Sequence, residues 1–92
     1  MLLGDGLNAI VVSNDAANRF SQMITVVPLT SQVQKLYPGE ALVEVDGKPG
    51  KAMCDQIRAV DRRRLVRKLG ALSVGHTEVL DRALLVSLGL PL

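Results

Sequence analysis

Ninety-two residues make one domain with little apolar surface to offset its chain entropy, so a partner subunit would supply what the chain lacks. Hydrophobic residues make up 48% and aromatic ones 2%, so the core must be built from Val, Leu, Ile, Ala and Met rather than large rings. A net charge of +2 is too small by itself to argue for a polyanionic partner, one cysteine excludes an internal disulfide, and one histidine excludes a cluster of soft metal ligands.

Met1 to Gly6 has two glycines and no periodicity, and it predicts an irregular end rather than an element. With no cationic leader and no long apolar run, neither secretion nor membrane insertion is expected, and the lone Cys54 fits the reducing cytoplasm. Leu7 to Ser13 and Met23 to Leu29 are β-branched runs that read as buried strands. Asn14 and Asp15 between them favour a turn or a short helical start. Pro28 places its end of the second strand at a sheet edge or bulge. Ser13 and Asn14 close the first strand and Thr30 and Ser31 the second, setting polar groups where a dry scaffold ends.

Tyr37-Pro38-Gly39-Glu40 has the residues of a β-turn, and Ala41 to Val45 alternates as a strand. Asp46-Gly47 with Lys48-Pro49-Gly50 returns the chain, so Lys51 to Val60 is expected as the hairpin partner. Asp61 to Arg64 reads as a capped turn and Leu65 to Ala71 as a final strand, with a helix through both as the alternative. Ser73 is an N-cap, Leu80, Leu84 and Leu88 form one apolar helical stripe, and Gly89 with Pro91 ends the helix. The whole is a mainly β domain, residues 1–92, with a C-terminal α-helix packed on it.

Arg62, Arg63, Arg64, Arg67 and Lys68 concentrate five of eleven basic residues within seven positions, either a solvated turn or a patch for a polyanion. No phosphate loop, zinc pattern or Ser-His-Asp set can be assembled. On residue type alone, Thr30 is a turn-capping hydroxyl, Asp55 a satisfied carboxylate and Cys54 a small core residue.

The blocks Val11 to Asp15, Asn18 to Ser21, Val27 to Ser31, Tyr37 to Glu40 and Asp55 to Asp61 give those residues a second meaning. Together with Leu69 to Ser73 and the terminal Ala83 to Leu90, they resemble, in order and spacing, the MazF/PemK toxin family. The resemblance implies a small SH3-like antiparallel barrel of the PemK/CcdB type and a homodimer. It implies a metal-free, cofactor-free endoribonuclease that cuts single-stranded RNA by 2′-hydroxyl attack, and a cognate antitoxin whose tail lies over the RNA groove. On this likeness Thr30 holds a phosphate oxygen, Asp55 acts as the base, and Asn14, Ser31 and Gln56 contact RNA.

The likeness departs in two places. Members begin with a strand of the Arg-Gly-Glu-Ile-Trp type and a long loop, which Met1 to Gly6 replaces, so an open barrel is expected here. The arginines that members use to neutralise the phosphate are absent, because Leu7-Asn8 stands for Arg-Pro and Met53 for the arginine two residues before Asp55. These departures support a second reading, a catalytically impaired paralogue that keeps the dimer and antitoxin surfaces as a binding module.

Overall fold

The structure is a computed structural model that describes residues 2–3, 8–68 and 70–91. Its elements are β1 (Leu2–Leu3), β2 (Asn8–Val11), α1 (Asp15–Phe20), β3 (Met23–Thr30), β4 (Glu40–Val45), β5 (Lys48–Met53), β6 (Arg58–Asp61), β7 (Leu65–Arg67) and α2 (Val74–Leu88).

β3 is the strand on which the sheet is built, because it is the longest β-branched run and is paired on both flanks. On one flank it runs antiparallel to β2, from Asn8↔Leu29 to Val11↔Val26. The other flank is divided, with β6 pairing from Met23↔Asp61 to Val26↔Arg58 and β5 pairing at Leu29↔Ala52 and Thr30↔Lys51. Val12 N donates to Thr25 O at 2.9 Å, so odd residues of β3 turn their backbone toward β2 and even ones toward the divided flank. Pro28 therefore faces the stretch between β6 and β5, where its missing N–H costs no ladder bond. The order is β4-β5-β3-β2-β1-β7 with β6 beside β3, an open sheet as expected.

Both faces of the sheet are covered, which is why the runs Ala9 to Val12 and Ile24 to Val27 are apolar at every position but Thr25 rather than alternating. One face joins Val27, Ala41, Val43, Ala52 and Cys54 to Leu80 and Ala83 of α2, with Ile10, Val12 and Leu29 against them. The opposite face buries Ala9, Ile24, Val26 and Val60.

The turns form where local chemistry demands them. Glu40 N donates to Tyr37 O at 3.0 Å across Pro38 and Gly39, and Gly39 takes a φ of 84°. Asp46 and Gly47, at φ 52° and 75°, make the two-residue hairpin between β4 and β5. Asp61 accepts from Arg63 N at 2.9 Å and caps a 3₁₀ turn over Arg62–Arg64, as expected. The Arg63 guanidinium, hydrogen-bonded to the same carboxylate, holds the Asp61 pKa down at about 2, with the Arg63 N–H as the second cause. Ser73 Oγ accepts from His76 N at 3.2 Å, and Gly89, at φ 69°, ends α2 with Leu90 N donating to Leu85 O at 2.9 Å.

Four expectations change. Leu2–Leu3 forms a short strand where no element was expected, pairing with Asn8 of β2 and with Leu65 and Arg67 of β7. The rest of that segment (Met1 and Gly4 to Gly6) lies outside the described residues, as do Leu7 at the start of the first expected strand and Leu69 in the last. β5 begins at Lys48, not Lys51, because the two-residue turn makes Val45↔Lys48 the bonded pair and points Pro49 N away from β4, beyond the end of β3. The expected strand from Lys51 to Val60 is broken by a 3₁₀ turn, Cys54–Gln56, since Cys54 is buried in the core under α2 and donates its N–H to Gly39 O at 3.1 Å. Finally, Leu88 is 52% exposed, so the apolar stripe of α2 is buried at Leu80 and runs out toward the C-terminus.

Candidate active site

The divided flank of β3 carries Thr30 at the end of one ladder, with Asp55 and Gln56 on the turn that follows the facing strand. Thr30 is the last residue of β3, and its Oγ1 accepts from Gln32 N at 3.2 Å, so the hydroxyl caps the turn that follows. No described group accepts the Thr30 O–H, which leaves that hydrogen for a ligand oxygen. Ser31, exposed, continues the turn.

Directly across from Thr30 stands Lys51. Opposed residues of an antiparallel pair project to the same face with Cβ atoms about 5 Å apart. Lys51 is only 9% exposed, and its ammonium is fixed by three neighbours. Nζ lies 3.3 Å from Glu40 Oε1, donates to Lys35 O at 2.9 Å and sits 5.8 Å from the centre of the Tyr37 ring. Glu40 Oε1 also accepts from Tyr37 N at 2.8 Å. The Lys51–Glu40 pair thus ties the connection between β3 and β4 back against β5.

Asp55 follows β5 by two residues, exposed on the 3₁₀ turn. Its carboxylate is close enough to Cys54 to help raise that thiol to about 11, with burial the larger cause and Glu40 the smallest. Glu40 is paired in register with Met53, so along β5 its row lies midway between those of Thr30 and Asp55. Two residues of strand rise plus two of 3₁₀ rise set the rows of Thr30 and Asp55 about 10 Å apart. Gln56, next to Asp55, is exposed, with Nε2 3.6 Å from Met53 Sδ.

Asn14 is placed elsewhere. Because β2 and β3 are antiparallel, the exit of β2 lies at the opposite end of their ladder from Thr30, about 20 Å away. There Asn14 O accepts from Asn18 N at 2.9 Å and starts α1.

A groove of about 1080 Å³ opens beside this ladder, between β2, the β4–β5 hairpin and α2, where the sheet fails to close. Thr30 and Ser31 line one part of it; Asp55, Gln56 and Asn14 do not. Arg67 and Lys68 line it too, so the basic run splits. Arg62 donates to Arg19 O and Asn18 O, Arg63 pairs with Asp61 at 2.9 Å, and neither arginine lines the groove. Sequence reasoning missed Lys51 and Glu40. The available signal was a lysine between Gly50 and Ala52, two small residues, in a strand otherwise built for burial. Among the described residues no three His, Cys, Asp or Glu side chains gather as a metal site, and no helix is long and apolar enough to cross a membrane.

Residues 6–88 match the family described as PemK-like, MazF-like toxin of type II toxin-antitoxin system. The chain is 39% identical over 94 residues to Endoribonuclease MazF9 of Mycobacterium tuberculosis, covering 89% of this chain and 77% of that protein. It is 35% identical over 88 residues to Endoribonuclease EndoA of Bacillus subtilis, covering 88% of this chain and 74% of that one. Among solved structures it matches an endoribonuclease from a mycobacterial species with a TM-score of 0.88 at 25% identity, covering 99% of this chain and 88% of the other. A mycobacterial endoribonuclease in complex with its cognate antitoxin matches with a TM-score of 0.81 at 26% identity, covering 91% and 82%.

Proposed function

Since the chain belongs to the PemK-like, MazF-like toxins of type II toxin–antitoxin systems, we propose that it is an endoribonuclease that cuts single-stranded RNA through the 2′-hydroxyl beside the scissile phosphate. The observation that carries this reading is the 39% identity to an endoribonuclease along 89% of the chain. Thr30, half-buried at the end of β3, and Asp55, exposed on the turn that follows β5, support it.

In this mechanism the Asp55 carboxylate takes the proton of the 2′-hydroxyl, and the 2′-oxygen bonds to phosphorus. Thr30 O–H donates to a non-bridging oxygen as charge grows there. The bond from phosphorus to the 5′-oxygen breaks, and that oxygen leaves with a proton from water. The products are a 2′,3′-cyclic phosphate and a 5′-hydroxyl. The rows of Thr30 and Asp55, about 10 Å apart, are separated by about the span of one phosphodiester with its 2′-hydroxyl.

Gln56, adjacent to Asp55, is suited to a base edge, because an amide offers both a donor and an acceptor. Ser31 serves the next phosphate along the turn. Asn14 contacts a nucleotide several positions away on a strand that follows the β2–β3 ladder. The functional form is a cytoplasmic homodimer held in check by a cognate antitoxin. Its dimerisation is supported by the exposed apolar Leu36, Tyr37 and Leu42, and its antitoxin by the complex of the mycobacterial relative.

The test is to incubate the purified chain with a long single-stranded RNA, with Thr30→Ala and Asp55→Asn beside it. Discrete fragments ending in 5′-hydroxyls, lost in both variants, are expected. Intact RNA, or cleavage that persists in the Thr30→Ala sample, would refute the assignment.

A further inference from the structure

The mechanism above places growing negative charge between a neutral hydroxyl and an anionic carboxylate, so a cation must stand near both. Lys48, Arg67 and Lys68 are exposed cations around the groove, and Arg58 is exposed across from Val26. None of these is the register partner of Thr30.

We propose that Lys51, directly across the ladder from Thr30 on the same face, is the catalytic residue whose ammonium holds the non-bridging oxygens of the scissile phosphate. This rests on the endoribonuclease reading.

Three observations carry the proposal. The register Thr30↔Lys51 brings the hydroxyl and the lysine stem to about 5 Å at their Cβ atoms, so one phosphate reaches both heads. Lys51 is 91% buried and its head is already held by Glu40 and Lys35 O, so little ordering is needed at the moment of reaction. An ammonium has three donors; Glu40 and Lys35 O take two, which leaves one for a phosphate oxygen. The position is also structurally expensive. A cation inside a strand flanked by buried Gly50 and Ala52 incurs desolvation that an apolar residue would avoid, and Glu40 alone only offsets it. Glu40 in this account is a positioning residue. It holds the ammonium at 3.3 Å and is displaced in part when phosphate arrives.

Single-turnover cleavage of one fixed RNA separates chemistry from binding. Lys51→Met is expected to slow the cleavage step about 100- to 1000-fold. Its affinity for an all-2′-deoxy version of the same oligonucleotide should stay within about threefold, because the loss falls in the transition state. Lys51→Arg should return the rate to within about tenfold of wild type. Lys51→Met leaves Glu40 buried without its partner, so the double variant Glu40→Gln with Lys51→Met provides the folded comparison. It is expected to melt as a cooperative transition and to remain as slow as Lys51→Met. Arg58→Ala is expected to weaken binding without slowing the bound complex.

A Lys51→Met or double variant that cuts at the wild-type rate, or that loses affinity alone, overturns the assignment of Lys51 while leaving the endoribonuclease reading intact. A wild-type chain that cuts no RNA overturns the reading itself and the role of Lys51 with it.

Discussion

Leu80, Leu84 and Leu88 form one stripe at i, i+4 and i+8, and periodicity alone weights the three equally. The packing does not. Leu80 is 3% exposed and is the only large side chain that α2 buries fully, lodged with Val27, Val43 and Cys54. Leu84 is partly buried against the same cluster and Leu88 is 52% exposed. Leu80→Ala removes three carbons, about 0.8 kcal/mol each in transfer free energy, for about 2.4 kcal/mol before any cavity cost. Leu80 also lines the open groove, so the space left behind is partly continuous with solvent and adds at the low end, for a total of about 3 kcal/mol. A domain of this size loses about 4–8 °C of Tm per kcal/mol, which predicts a drop of about 12–24 °C. Leu84→Ala should cost about 1 kcal/mol and Leu88→Ala less than about 0.5 kcal/mol. Urea and thermal unfolding followed by circular dichroism, at one fixed protein concentration, measure all three. If Leu88→Ala costs as much as Leu80→Ala, the seating of α2 on the sheet described above is wrong.

Two further outcomes follow from the backbone and from burial. Gly39 has a φ of 84° and a substituted Cβ would meet Ser87 at an ordinary 3.4 Å, so Gly39→Ala should cost about 1–2 kcal/mol from conformation alone. Gly75→Ala, in α2 with nothing within 4 Å, should gain about 0.5–1 kcal/mol, and equal effects at the two sites in urea melts would refute the distinction. The Cys54 thiol is raised from 9.0 to about 11 in the folded state, so between those values the unfolded chain gives up its proton first and folding stability falls as pH rises. Wild type should lose about 2–3 kcal/mol more than Cys54→Ala between pH 8.5 and 11.5; parallel pH profiles would show the thiol to be solvated.

What was legible in the sequence was what neighbouring residues decide among themselves. Pro38-Gly39, Asp46-Gly47, Asp61, Ser73 and Gly89 each make their turn or cap with partners a few residues away, and each lies where its chemistry puts it. The break at Cys54–Gln56 was hidden because the run from Lys51 to Val60 keeps strand-like composition through it. The break comes from contacts made by distant groups, Gly39 O and the underside of α2. Lys48-Pro49-Gly50 reads as a breaker, yet it pairs with β4, since the direction of Pro49 N depends on the register set by the turn before it.

The candidate site divides in the same way. Thr30 and Ser31 at a strand exit, and Asp55 with Gln56 beside a buried cysteine, were legible through their blocks. That the exits of β2 and β3 point to opposite ends of the sheet, parting Asn14 from Thr30, follows only once the two strands are known to be antiparallel neighbours. Lys51 was passed over because nothing short of the register shows which residue faces Thr30.

The sharing of β3 among three partners bears on how the molecule comes apart. When β3 leaves, β2, β5 and β6 each lose the edge they share with it, and the β4–β5 hairpin keeps the longest ladder that does not involve β3. Those partners enter from chain positions as far apart as Asn8 and Asp61, and the strand becomes stable only after long loops have closed around it. A chain made this way assembles its central strand late and loses most of its sheet when that strand goes.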